Sequence, residues 1–258
     1  RSSAASDVYK SQADINDLIS RDMALSAKIL KLVNSPYYGF PRRITTITYA
    51  VVILGFNAVR NLALSVSILE VFDRKSERGF NIRELWKHSL GAALAASALA
   101  RRAESGLQDD AFTAALLHDI GKVAMNQFRK EDLRRVTAEV EAADCLFLEA
   151  ERRHLFYDHA QLGGALLEHW NLPPQIANAV RCHHMPGGAN SDARLCAIVH
   201  FSDLMARCLF IGNGGDRRIP RLDEAAWQNL GLSWPEIAKT AEKLGDEIES
   251  ASVFFEVV

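Results

Sequence analysis

Leu116-Leu117-His118-Asp119-Ile120-Gly121-Lys122 is the stretch on which the reading of this chain turns, because an adjacent histidine and aspartate interrupt an apolar helix that begins near Asp110. Burying an imidazole and a carboxylate without partners is costly, whereas a divalent cation satisfies both, the imidazole as neutral donor and the carboxylate as charge compensation. The bland reading is a helix terminus, with Gly121 as the stop and His118 as a core histidine. The dipeptide by itself leaves both open.

Working outward, other helices carry chemistry-bearing residues in similar settings. His88 shares a helical face with Leu85, Ala92 and Ala95, and His159 follows the helix-capping Asp158 with Leu162 and Gly163 one turn on. His183 and His184 close the helix of Ile176, Ala179 and Val180, and Asp203 sits mid-helix between Val199 and Leu204. A shared metal explains this inward set more economically than separate coincidences do. His154, in the charged Glu151-Arg152-Arg153-His154 run, reads as solvated. His169 and His200 read as packing residues or as supports for ligands.

The rest of the pattern is helical. Asp14, Asp22, Thr46, Asn57, Asn81, Asp110, Asp158 and Ser233 are candidate N-caps, and Asn81 with Glu84 and Ser233 with Glu236 have capping-box spacing. Asn34-Ser35-Pro36, Gly55 and Pro173-Pro174 are stops. The β-branched run from Ile44 to Val52 reads as helix because Ile44, Ile47, Ala50, Val51 and Leu54 repeat at helical spacing. The expected fold class is all-α. Polar seams at Asp73–Gly79 and Gly212–Arg221 suggest an N-terminal helical lobe over residues 1–73, a body over 80–211, and C-terminal helices over 222–258 packed on that body.

Composition excludes several function classes. With 258 residues, 48% hydrophobic and 24% charged, the chain has ordinary globular usage and length for a substantial core. A net charge of -2 gives no global field for nucleic acid or an anionic membrane. The richest apolar run, Ala50 to Leu69, is interrupted by Gly55, Asn57, Arg60 and Asn61, so no membrane span is expected. Cys145, Cys182, Cys196 and Cys208 lack CxxC spacing and read as free thiols, which suits a reducing cytoplasm. No signal peptide is visible, and the expected location is cytoplasmic.

The order His88, His118-Asp119, Asp203 resembles the H…HD…D signature of the HD superfamily of metal-dependent phosphohydrolases, with Gly121-Lys122 completing its HDxGK form. His159 and the His183-His184 pair resemble the extra ligands of the two-metal HD-GYP cyclic-di-GMP phosphodiesterases. The N-terminal run DMALSAKILKLVNSPYYGFPRRITTITYAVVILGFNAVRNLAL is similar to the opening of the HDOD domain, as are Trp86 with His88, DHAQLGGALLEHWNLPPQIANAVRCHH and IVHFSDLMAR. The resemblance spans roughly Asp14 to Arg207. It departs from the phosphodiesterases after His184, where Met185-Pro186-Gly187-Gly188 stands in place of a glutamate and the GYP loop.

The resemblance implies a helical HDOD domain that relays bacterial signals through contacts with signalling proteins, with a retained HD-type site for one or two divalent ions at His88, His118, Asp119, His159, His183, His184 and Asp203. Iron, manganese, zinc and nickel all suit such donors. The alternative it implies is a metal-dependent phosphohydrolase acting on a phosphoester. There Asp119 would bridge two ions, His88, His118 and Asp203 would complete one sphere, and His159 with His183 or His184 the other, while Lys122 stabilises or protonates the phosphate.

Overall fold

The computed structural model describes residues 18–71, 80–188 and 192–250, and among these the secondary structure is helical, with no strand. The expected all-α class holds. No helix among the described residues is long and apolar enough to cross a membrane. The expected cap at Asp14 and the seam at 73–79 lie outside the described residues. The chain divides into two compact units, Arg1–Val71 with Glu249–Val258, and Phe72–Ile248.

In the first unit, α1 (Met23–Val33) starts where Asp22 Oδ1 accepts from Leu25 N at 3.0 Å, and it buries Ile29, Leu32 and Val33. It packs on α2 (Ile47–Leu54) and α3 (Phe56–Val71). The helix expected from Ile44 begins three residues later, because Thr46 is its N-cap and accepts from Tyr49 N. Ile44 is buried in extended chain, tied by its own N–H and C=O to the Asn34 side chain at 2.8 Å each. Gly55 stops α2 with a φ of 88°, and Asn57 lies inside the first turn of α3 instead of capping it.

The second unit is organised around α4 (Ile82–Arg102), capped by Asn81, in which the small residues Gly91, Ala92, Ala93, Ala95, Ala96 and Ala100 are all buried. Small residues let helix axes approach closely. Against α4 pack α5 (Gln108–Leu117) and α11 (Ala193–Cys208). Between them in sequence run α6 (Ile120–Phe128), α7 (Lys130–Ala143), α8 (Phe147–His154), α9 (His159–His169) and α10 (Pro174–Cys182); α12 (Glu224–Leu230) and α13 (Trp234–Ser250) follow α11. Asp110 falls inside the first turn of α5, which has no side-chain cap, and Asp158 forms a full capping box with Gln161 at the start of α9.

Candidate metal centre

His118 and Asp119 occupy the junction where α5 ends and α6 begins, so the helical run breaks at the pair itself, and Gly121 lies within α6. Its role is steric. A Cβ at Gly121 would stand 2.1 Å from the His159 carbonyl oxygen, and one at Gly163 would meet Ile120 and Val180 at 3.2 and 3.1 Å. These glycines let α6 and α9 approach until His159 Nε2 lies 3.2 Å from Asp119 Oδ1.

The structure brings all seven candidate ligands together. His88 Nε2 lies 3.0 Å from Asp203 Oδ1 and 4.0 Å from Asp119 Oδ2, while His118 Nε2 lies 3.4 Å from Asp119 Oδ2 and 3.8 Å from Asp203 Oδ1. The His183 and His184 rings lie 3.9 Å apart between centroids with their planes tilted by 45°, and His184 Nε2 approaches His159 Nε2 at 2.9 Å. Three overlapping trios, His88/His118/Asp203, His118/Asp119/His183 and His159/His183/His184, each hold donor atoms within 4.8 Å of one another.

Tautomers are set from outside the cluster. The Nδ1 of His118 bonds the Ala115 carbonyl at 2.6 Å, that of His183 the Val180 carbonyl at 2.7 Å, and that of His159 the Glu151 carboxylate at 2.6 Å. A carbonyl oxygen only accepts, so Nδ1 of His118 and of His183 carries the proton, and each Nε2 lone pair faces the centre. The Nε2 atoms of His118 and His183 are buried with no hydrogen-bond partner, while Asp119 Oδ1 lies 2.8 Å from Lys122 Nζ and His88 Nε2 lies within reach of Asp203. Two orphaned imidazole acceptors buried beside two carboxylates are costly unless a cation completes them, so the donor set fits a divalent metal.

Electrostatics agree. Burial, with neighbouring imidazoles, pushes His183 and His184 well below the ordinary histidine range, and burial pushes His118 down, which keeps these rings neutral donors. Burial alone would raise Asp119, but the His118 imidazole and Lys122 ammonium outweigh it and hold the carboxyl well below its usual range; beside Asp203 the Arg207 guanidinium has the same effect. His159 moves up, because the carboxylate of Glu151 outweighs the burial that would lower it. Four buried carboxylates, Asp119, Glu151, Asp203 and Asp216, face two buried cations, Lys122 and Arg207. The excess negative charge is what a divalent ion would neutralise.

Lys122 is fully buried and engaged: Nζ donates to Asp119 Oδ2 at 2.9 Å and to the Gly214 carbonyl at 2.7 Å, and it lies 5.0 Å from the Phe147 ring centroid. Gly214 belongs to the stretch that composition marks as a surface connection, but this part of it closes over the centre. Asn213 N bonds the Glu84 carbonyl, and Asp216, buried, accepts from Phe147 N, Arg218 N and Arg207. Gly212, at a φ of 61°, sits where a Cβ would be 2.3 Å from His88 N, so the strap hugs α4 beside the ligand.

The comparisons with known proteins accord with this geometry. The HDOD domain family profile matches residues 3–186. The chain belongs to the HDOD family. An uncharacterized protein of Treponema pallidum (strain Nichols) is 30% identical over 220 residues, 81% of this chain and 40% of that protein, so the HDOD chain spans well under half the length of this curated relative. Among solved structures, an HDOD domain protein of unknown function from Geobacter sulfurreducens is 27% identical with a TM-score of 0.80, covering 96% of this chain and 86% of the other. A Shewanella amazonensis SB2B protein, provisionally described as a phosphohydrolase, shares the fold at 24% identity and TM-score 0.72, over 93% and 86%. So does a Marinobacter aquaeolei VT8 protein provisionally described as a signal transduction protein, at 21% and 0.76, over 95% and 55%.

Sequence reasoning missed the supports of the HDOD centre. Glu151, assigned to a solvated charged run, is fully buried and accepts both N–H groups of His159. Its spacing from Phe147 and Ala150 places it on the buried stripe of α8, a legible signal that the surrounding charges obscured. His154 is exposed beside Glu139, and His169 is also exposed instead of packed. His200 is buried and bridges two elements, Nδ1 donating to the His183 carbonyl at 2.8 Å and Nε2 accepting from Asp223 N at 3.1 Å. Arg207, one helical turn after Asp203, was findable by its i,i+4 spacing; Asp216 was not, since only the folded strap brings it there.

Proposed function

We propose that this HDOD chain is a bacterial, cytoplasmic signalling module that works through contacts with other signalling proteins and keeps a divalent metal at the histidine–aspartate centre as a structural or sensing element. The observation that carries this reading is the closure of the centre. Of the seven candidate ligands only His184 is not fully buried, and Lys122, the cation that would meet a phosphate, is spent on Asp119 and the strap. Hydrolysis needs room for a phosphoester beside the ion and groups free to orient it.

In this reading His88, His118, Asp119 and Asp203 would hold one ion, and His159, His183 and His184 are the donors for a second. Iron, manganese, zinc and nickel all suit imidazole with carboxylate. A bound ion would supply charge compensation and, to a coordinated water, Lewis acidity. The alternative is a metal-dependent phosphohydrolase, favoured by the half-open position of His184 beside exposed Met185. Metal content and turnover of a phosphoester panel that includes cyclic-di-GMP, measured together for wild type and Asp119→Ala, decide between them. Metal that is retained by the wild type without turnover, and lost in the variant, supports the signalling module. Metal-dependent turnover abolished by the substitution establishes the hydrolase instead.

A further inference from the structure

The N-terminal unit holds a groove of about 900 Å³ between one face of α1, with Leu30, Lys31 and Asn34, and the extended segment carrying Arg43 and Ile44, with Phe40 also in its lining. Its walls are fixed in advance. Asn34 Nδ2 donates to the Leu30 and Ile44 carbonyls at 2.7 and 2.8 Å while Oδ1 accepts from Ile44 N, so a single side chain clamps the extended segment to the helix. A preformed groove spares a ligand the cost of ordering it. Ser35, which lines the same groove, has a buried hydroxyl with no hydrogen-bond partner.

We infer that this groove is the docking site of an acidic, amphipathic segment of a partner protein, an inference that rests on the signalling reading above. Charge identifies the occupant. The groove lining carries two cations, Lys31 and Arg43, and no carboxylate, in a chain whose net charge is -2. Lys31 and Arg43 stand exposed on opposite walls, and Arg43 makes no ion pair or hydrogen bond among the described residues. Leu30, Pro36, Phe40 and Ile44 supply an apolar part of the lining beside the polar Asn34, Ser35 and Thr45. A helix or strand with apolar residues on one side and carboxylates flanking them matches that lining. Nucleic acid is a poorer match, since its backbone needs a continuous cationic track, and a membrane surface engages protruding apolar faces, not a concave one.

The test is fluorescence anisotropy on the full chain with a labelled amphipathic peptide carrying leucines at helical spacing and glutamates elsewhere. The probe is expected to bind, with affinity falling as salt rises from about 0.05 to about 0.3 M. Lys31→Glu with Arg43→Glu is expected to weaken binding at least tenfold, and Lys31→Gln with Arg43→Gln by an intermediate factor. Arg21→Glu with Arg42→Glu, an equal charge change outside the groove lining, is expected to leave it within about twofold. Circular dichroism confirms that each variant is folded. The inference falls if the peptide does not bind, if a glutamate-only peptide binds equally well, or if the two glutamate variants lose affinity equally. It also falls if single-stranded DNA or phosphatidylserine vesicles bind more tightly and are lost on the same Lys31/Arg43 reversal. None of these outcomes depends on metal or turnover, so the groove can fail while the signalling module stands, and metal-dependent turnover can displace the module without touching the groove.

Discussion

Replacing Gly121 by alanine adds one methyl group at the closest approach in the metal-bearing unit. The new Cβ would stand 2.1 Å from the His159 carbonyl oxygen, 2.8 Å from its carbon and 2.9 Å from its Cα, all main-chain atoms that cannot swing aside. Reaching even a strained 3.0 Å requires α6 and α9 to separate by about 0.9 Å. Overpacking of this kind costs about 1–3 kcal/mol, and alanine returns up to about 1 kcal/mol in helix propensity, so a net loss of ~1–2 kcal/mol is expected. That corresponds to a fall of roughly 2–8 °C in Tm for a unit of this size. The same separation carries His159 away from Asp119, now 3.2 Å distant, so metal content should fall as well. The internal control is Gly245→Ala on α13, where nothing lies within 4 Å of the added Cβ and the same substitution should stabilise by about 0.5–1 kcal/mol. Thermal denaturation and elemental analysis of both variants provide the comparison. If Gly121→Ala is as stable and as metal-replete as wild type, the close helix approach is not what places His159, and the steric account of this glycine is wrong.

Other perturbations follow from the same geometry. Glu151→Ala removes the acceptor of both His159 N–H groups and should lower metal content and stability, by roughly 3 kcal/mol if the buried ring is left unpaired; Glu151→Gln, which keeps one acceptor oxygen, should retain much of both in parallel denaturation and metal assays. Asp119→Ala should lose the metal while far-ultraviolet circular dichroism remains helical, because the ligand set and its charge compensation are broken but the helix cores are not. Asp132 supplies a pH signature. Burial pushes its carboxyl up, but hydrogen bonds from Arg129 at 2.7 Å and Tyr157 at 3.1 Å prevail and hold it below the ordinary value. A depressed folded-state pKa contributes stability above the unfolded value of about 3.9 and loses it as pH falls through the folded one. Denaturant titrations should therefore show Asp132→Asn less stable than wild type at neutral pH, with the gap closing below about pH 3.9; a gap independent of pH would refute the assignment.

The sequence alone determined the helical class, through apolar spacing and caps such as Asp22, Thr46, Asn81 and Asp158, because those signals act within one or two turns of the residue that carries them. It also nominated His88, His118, Asp119, His159, His183, His184 and Asp203, because polar groups on apolar faces stand out in a linear pattern. Helix boundaries were less legible. Ile44 belongs to the apolar repeat of α2, yet Asn34, ten residues earlier, pulls it into extended chain. Only the tertiary structure decided how the donors are supported and enclosed. Glu151 and Asp216 sit in charged runs that read as solvated, and they become buried because α8 and the Gly212–Arg218 strap close over His159, Lys122 and Arg207. Burial of a charge depends on which distant element packs over it, and that information lies in no local window of the chain.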